Sequence, residues 1–127
     1  LLNLSLDWAA NRKQFGQNIG RFQGTSFKLA DMATELQAAD LMVMHAAQKA
    51  DAGIMTPTDA AMCKLFASEM LARISDNAVQ IFGGMGLMED LPIERLWRDS
   101  RLERIWEGTS EIQRHKISRS LLRPLGS

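Results

Sequence analysis

The chain has 127 residues, of which 46% are apolar, 24% charged and only 6% aromatic. That length suits one domain with a real core and no more. Fifteen basic and fifteen acidic side chains cancel to a formal charge of zero, which argues against nucleic acid as the main partner, because phosphate binding needs a net or strongly localised positive field. The apolar residues are interspersed with polar ones, leaving no run long enough to span a bilayer.

The opening segment, Leu1 to about Lys13, reads like the second half of a helix, and the first residue is leucine. The chain is therefore expected to be a piece of a longer protein, with any targeting signal upstream. A long helix is predicted from Gln23 or Gly24 to Ala52, because Leu29, Met32, Ala33, Leu36, Val43, Ala47 and Ala50 recur at helical steps. Gly53 suits its C-terminus, where a left-handed residue is needed. The next start is marked by Thr56 as N-cap, Pro57 at the first helical position and Asp59 in the positive first turn.

That helix is predicted to run to about Phe82. Met62, Leu65, Phe66, Leu71, Ile74, Ala78 and Ile81 wrap more than one side of it, so it is expected to be central or also to face another subunit. Gly83-Gly84-Met85-Gly86 ends it. A shorter helix is predicted from Pro92 through Arg101, with Glu94–Arg98 and Arg95–Asp99 at i,i+4 spacing. The last helix starts at Thr109 or Ser110, with Ser110 and Gln113 at capping-box spacing, and ends near Leu122 before Pro124. Strand signals are nearly absent, and no repeat or linker is visible. The predicted fold class is all-α, an up-and-down helical bundle.

Three stretches between the helices contain unusual residues. In NRKQFGQNIGRFQ, Arg12 and Phe15 offer a guanidinium and a planar ring for a phosphate and a base; the bland reading is an ordinary turn with a solvated basic pair and Phe15 in the core. In QIFGGMG, the glycines would let a diphosphate or another backbone approach closely, while a helix C-cap followed by a turn explains them nearly as well. In WEGT, Glu107 stands between Trp106 and Gly108 at a helix N-terminus. An indole alongside would partly desolvate the carboxylate and raise its pKa, as suits a general base; the alternative is an acid drawn to a positive helix end. Cys63 reads as a buried inert thiol. His45 and His115 have no partners at metal-ligand spacing, so no metal site is expected.

Taken in order, RKQFGQNIGRFQ, LADMATELQAAD, QIFGGMGL and RLWRDSRLERIWEGTSEIQR resemble the carboxyl-terminal domain of the acyl-CoA dehydrogenase family. The likeness covers essentially all of residues 1–127. It implies an enzyme with two further domains, an amino-terminal helical one and a middle β one, absent here, and the cofactor FAD lying between them and against a neighbouring subunit. It also implies a homo-oligomer, dimer or tetramer, an acyl-CoA substrate, electron-transfer flavoprotein as acceptor, and a bacterial cytoplasmic or mitochondrial matrix location.

Residue by residue, Arg12 matches the arginine that meets the partner subunit's FAD diphosphate. Phe15 matches the phenylalanine near that cofactor's adenine end, and Gln23 a further partner-side contact. Gln80, Gly83 and Gly84 match the glutamine and glycines that approach its adenosine part, whereas Thr109 matches a threonine touching the FAD of its own subunit. Glu111 stands where several relatives have glutamine. Glu107 matches the base that removes the α-proton, the β-hydrogen then leaving as hydride to give trans-2-enoyl-CoA. Branches with an earlier base carry a small residue there. Gly108 matches the glycine lining the thioester, and Trp106, where tyrosine is frequent, forms an aromatic wall of the same slot. Two other readings remain at this point: a helical assembly module without chemistry as isolated, and a related flavin oxidase, a branch that favours aspartate as base.

Overall fold

The computed structural model describes residues 1–125. Five helices form the fold: α1 (Leu2–Asn11), α2 (Gln23–Asp51), α3 (Pro57–Phe82), α4 (Ile93–Leu102) and α5 (Ser110–Leu122). A two-stranded hairpin, β1 (Lys13–Gln14) and β2 (Gln17–Asn18), sits between α1 and α2. The expected all-α bundle is present. Among the described residues, no helix is long and apolar enough to cross a membrane.

α3 is the axis. Every other helix packs on it, and its buried residues include Ala61, Met70, Ile74, Ala78, Ile81 and Phe82. The fold covers most of its apolar circumference, with Met62 exposed and Leu65, Phe66 and Leu71 partly buried. Its start is set by local chemistry. The Thr56 hydroxyl accepts from Asp59 N–H, the Asp59 carboxylate accepts from Thr56 N–H, and Pro57 stands in the first turn. Asp59 also pairs with Lys49 at the end of α2, at 2.8 Å. These contacts, the Lys49 hydrogen bond foremost, hold the Asp59 carboxyl far below its usual range.

α2 runs antiparallel to α3 along a narrow seam. Met32, Ala39 and Ala46 are buried, seven residues apart. Glu35, Met42 and Lys49, offset by three, meet Arg73, Cys63 and Asp59 of α3 respectively. This is a heptad-like seam in which polar pairs alternate with small apolar contacts. Leu29 and Leu36 of the predicted stripe pack at its edge, but Ala33, Val43, Ala47 and Ala50 are exposed. The apolar periodicity misplaced them because two seam positions are charged. Cys63 is half-buried rather than buried; it donates to the Met42 carbonyl at 3.3 Å, and burial pushes its thiol pKa up.

α4 is joined to α3 by a buried Ser75–Ser100 hydroxyl pair at 2.8 Å. The Glu94–Arg98 pair is formed, at 2.7 Å, whereas no ion pair joins Arg95 to Asp99. Glu69, midway along α3, anchors the segment between α4 and α5. Its carboxylate accepts from the Ser110 hydroxyl at 2.7 Å and faces Arg104 and Arg114 at 3.6 and 3.7 Å. The Ser110 hydrogen bond first, then the two arginines, lowers the Glu69 pKa.

A carboxyl whose folded pKa lies below its unfolded value adds stability above the unfolded value and loses it as pH falls through the folded one. Glu69→Gln is therefore expected to destabilise the domain at neutral pH by about 1 kcal/mol, a modest cost because a partly exposed charge is screened. The gap from wild type should shrink as pH falls below the ordinary glutamate range. Urea midpoints of the two proteins across that range check this, and a gap independent of pH would contradict it.

Candidate functional site

The segment between α4 and α5 folds back on itself. The N–H groups of Ile105 and Trp106 both donate to the Leu102 carbonyl, and Ser110 N–H donates to that of Arg104. Within the turn Glu107 has φ +53° and Gly108 φ +92°. A left-handed backbone is ordinary for glycine and costs a glutamate about 1 kcal/mol or more. The turn is held from two sides. Gln113, only 3% exposed, donates from Nε2 to the carbonyls of Glu107 at 3.2 Å and Gly108 at 3.0 Å. Lys64 reaches across from α3 and donates from Nζ to the Gly108 carbonyl at 2.9 Å. A Cβ at position 108 would stand 2.8 Å from Gln113 Nε2, so φ and packing both call for glycine there.

Glu107 is exposed and borders an open groove of about 290 Å³ with Pro57, Ala60, Lys64 and Lys116. Trp106 is 49% exposed, and its indole N–H donates to Glu103 Oε2 at 2.9 Å. Its polar edge is thus turned toward the end of α4. Glu107 itself is exposed, so this domain alone does not enclose its carboxylate as the neighbouring indole led one to expect. Nor does the predicted Ser110–Gln113 capping box form. Thr109 is the N-cap of α5, its hydroxyl accepting from Ile112 N–H at 3.3 Å; Ser110 is engaged by Glu69, and Gln113 by the turn. Glu111 lies in the first turn of α5, where backbone hydrogen bonding and then the Thr109 hydroxyl lower its carboxyl pKa.

Arg12, Gly83 and Gly84 come together elsewhere, around an open groove of about 590 Å³ that also includes Trp8 and Met85. The Arg12 guanidinium lies 5.8 Å from the centroid of the Trp8 ring. Trp8 in turn stacks on Phe82 at 4.6 Å, the last residue of α3. Gly83 has φ +61° and ψ −142°, a conformation open essentially to glycine alone. Gly86 is needed for packing, since a Cβ there would be 2.9 Å from the Val79 carbonyl oxygen. Gly84 has neither constraint: nothing lies within 4 Å of where its Cβ would be, and its bare backbone faces open space.

Phe15 and Gly16, with φ +50° and +79°, form the two-residue turn of the hairpin, as in a type I′ turn. Phe15 is 92% exposed, so the bland reading of a ring in the core is overturned. A tight turn puts its side chain outside, where the ring meets only the edge of Phe22, at 6.2 Å. Gln23 is exposed at the first position of α2, and Gln80 is exposed on the last turn of α3. Neither lines the Arg12 groove.

Most of the candidate residues form two groups, with Phe15, Gln23 and Gln80 lining neither groove. Trp106 to Thr109 lie beside Lys64, while Arg12, Gly83 and Gly84 gather at the end of α3, roughly 27 Å further along at 1.5 Å per residue. Among the described residues, no His, Cys, Asp and Glu side chains cluster in a way that could hold a metal. The sequence reading missed Lys64, Trp8 and the role of Gln113. Gln113 was legible only as a polar residue in a cap-like spacing, and nothing local signals that Lys64 crosses to a turn forty-four positions away.

Residues 1–122 match the family model for the acyl-CoA dehydrogenase C-terminal domain. An acyl-CoA dehydrogenase of Bacillus subtilis is 49% identical over 95% of the chain, which spans 32% of that relative. Butyryl-CoA dehydrogenase from Megasphaera elsdenii superposes with a TM-score of 0.94 at 41% identity, over 96% of this chain and 32% of that one. A structure described as the FAD complex of PigA superposes with a TM-score of 0.91 at 37% identity, over 94% and 31%. The chain thus spans about a third of the length of these proteins. It belongs to the acyl-CoA dehydrogenase family and corresponds to that family's C-terminal domain.

Proposed function

We propose that this chain works as the C-terminal helical domain of an FAD-dependent acyl-CoA dehydrogenase, with Glu107 as the base that removes the α-proton of the acyl-CoA. An amino-terminal helical domain and a middle β-domain would supply the rest of the site. The observation that carries this reading is conformational. Among the described residues, Phe15 and Glu107 are the non-glycine positions with positive φ. Strain of this kind persists where the surroundings over-determine it, often at functional sites. The family resemblance independently gives these two residues to the cofactor and to proton abstraction.

In the proposed reaction the α-C–H bond breaks, its proton passes to the Glu107 carboxylate, and the electron pair remains on the thioester enolate. FAD, when bound, supplies the acceptor for the β-hydride, so that trans-2-enoyl-CoA results. Trp106 and Gly108 would border the acyl thioester, with the other domains closing the site against water. The surface at the far end of α3 fits a dinucleotide: Arg12 offers a guanidinium to the diphosphate, Gly83 and Gly84 an unobstructed backbone, Phe15 an exposed ring near the adenine, and Gln23 and Gln80 polar flanks. Thr109 would meet a different FAD, that of its own subunit. The 27 Å between the groups supports such a division, one chain contributing to two cofactors.

That division requires a homo-oligomer, and α2 presents a surface suited to one. Phe27, Ala30, Thr34, Gln37, Leu41, Met44 and Gln48 follow alternating three- and four-residue steps, are all exposed and carry no charge. They form a second ridge of heptad spacing, away from the seam with α3. Electron-transfer flavoprotein is the acceptor the resemblance implies.

Glu107→Gln in the full-length protein keeps size and shape but cannot take the proton. Mixed anaerobically with acyl-CoA, it is expected to bleach its flavin roughly 10²–10⁴-fold more slowly than wild type. Bleaching at the wild-type rate would place the base elsewhere. Arg12→Ala is expected to weaken FAD retention by one to two decades, the loss of a charge-assisted contact of ~1.5–3 kcal/mol, with little effect on the reduction rate per bound flavin. Equilibrium FAD titration checks this, and unchanged affinity with slowed reduction would refute the assignment.

A further inference from the structure

We infer that Gln113, assisted by Lys64, is the positioning residue that holds Glu107 in the orientation needed for proton abstraction. This rests on the reading of Glu107 as the base and adds how the base is aimed.

Three observations carry it. First, Gln113 is 3% exposed, and burying an amide is costly unless its hydrogen bonds are made. Its amide is spent on the two carbonyls of the Glu107–Gly108 turn, so the turn explains why an amide stands where an aliphatic side chain would pack without that cost. Second, those bonds act on the strained unit itself. With φ +53° at Glu107 and +92° at Gly108, the two carbonyls lie within reach of one Nε2, at 3.2 and 3.0 Å. If Glu107 relaxed to negative φ, its carbonyl would turn away from the donor and its side chain would swing by several ångströms. Third, the hold comes from two directions. Gln113 belongs to α5 and Lys64 to α3, and Lys64 Nζ lies 2.9 Å from the Gly108 carbonyl oxygen. The turn is thereby fixed against the central helix as well as the helix it introduces. Neither residue needs to touch the substrate for this.

The consequence is specific to the proton-transfer step. A base displaced by about 1 Å from its reacting atom can cost on the order of 10²-fold, while substrate and cofactor binding, to which this turn adds only the contacts of Trp106, Gly108 and Thr109, changes less. The experiment uses the full-length protein with its flavin reduced beforehand, so that net dehydrogenation is blocked. Exchange of the α-protons of a saturated straight-chain acyl-CoA with D2O is then followed by NMR.

Gln113→Ala is expected to slow the exchange roughly 10–100-fold, a far larger change than in the acyl-CoA Kd or the FAD content. Gln113→Glu keeps the size but lacks both donors; it should slow exchange as much, which covers the case of an Ala variant that fails to fold. Lys64→Met should slow it less, because the Gln113 bonds remain. Exchange within two-fold of wild type in both Gln113 variants, with Glu107→Gln abolishing it, would overturn the positioning role and leave the base assignment standing. Wild-type exchange in Glu107→Gln would overturn both.

Discussion

The uninterrupted course of α3 constrains everything else in the molecule. From its capped start at Thr56 to the glycine at 83, one helix of roughly 39 Å receives α1, α2, α4 and α5 on its sides. Lys64 and Glu69 project from its first half to fix the turn before α5, and Phe82 at its end carries the Trp8–Arg12 stack. The distance between the two groups of candidate residues is therefore a helix length, stiff and insensitive to the loops. A site built on such an element can hold its geometry more closely than one built on loops alone.

Local chemistry was legible in the sequence, and contacts distant along the chain were not. Thr56, Pro57 and Asp59 announced the start of α3 because capping is decided within four residues. The heavy apolar wrapping of α3 announced a central helix for the same reason that it became one. α2 was harder. Its seam includes the half-buried Glu35 and Lys49, paired with Arg73 and Asp59 opposite, so a purely apolar reading drifted to Val43 and Ala47. The hairpin was hidden because its turn uses Phe-Gly where Asn-Gly is the usual signal.

The candidate site shows the same division. Arg12, Gly83 and Gly84 were singled out by type and the structure brings them together; Phe15 was singled out too, but its exposure could not be read from the sequence. Glu107 stood out by its neighbours, yet the indole thought to desolvate it is bonded to Glu103. What distinguishes Glu107 instead is its backbone, a property no local composition reveals. The amide and ammonium that hold that backbone come from α5 and α3, and a left-handed glutamate among exposed residues would have little reason to persist without them.

In the proposed enzyme, Glu107 faces the reacting carbon from a left-handed turn while the opposite end of α3 serves another subunit's cofactor. A crystal structure of the full-length protein with FAD and a non-reactive acyl-CoA analogue tests it most directly. The expected result is a Glu107 carboxylate roughly 3–3.5 Å from the α-carbon, positive φ retained at Glu107, and Arg12 on the diphosphate of a neighbouring subunit's FAD. A carboxylate turned away from the thioester, or Arg12 on no cofactor at all, would contradict it.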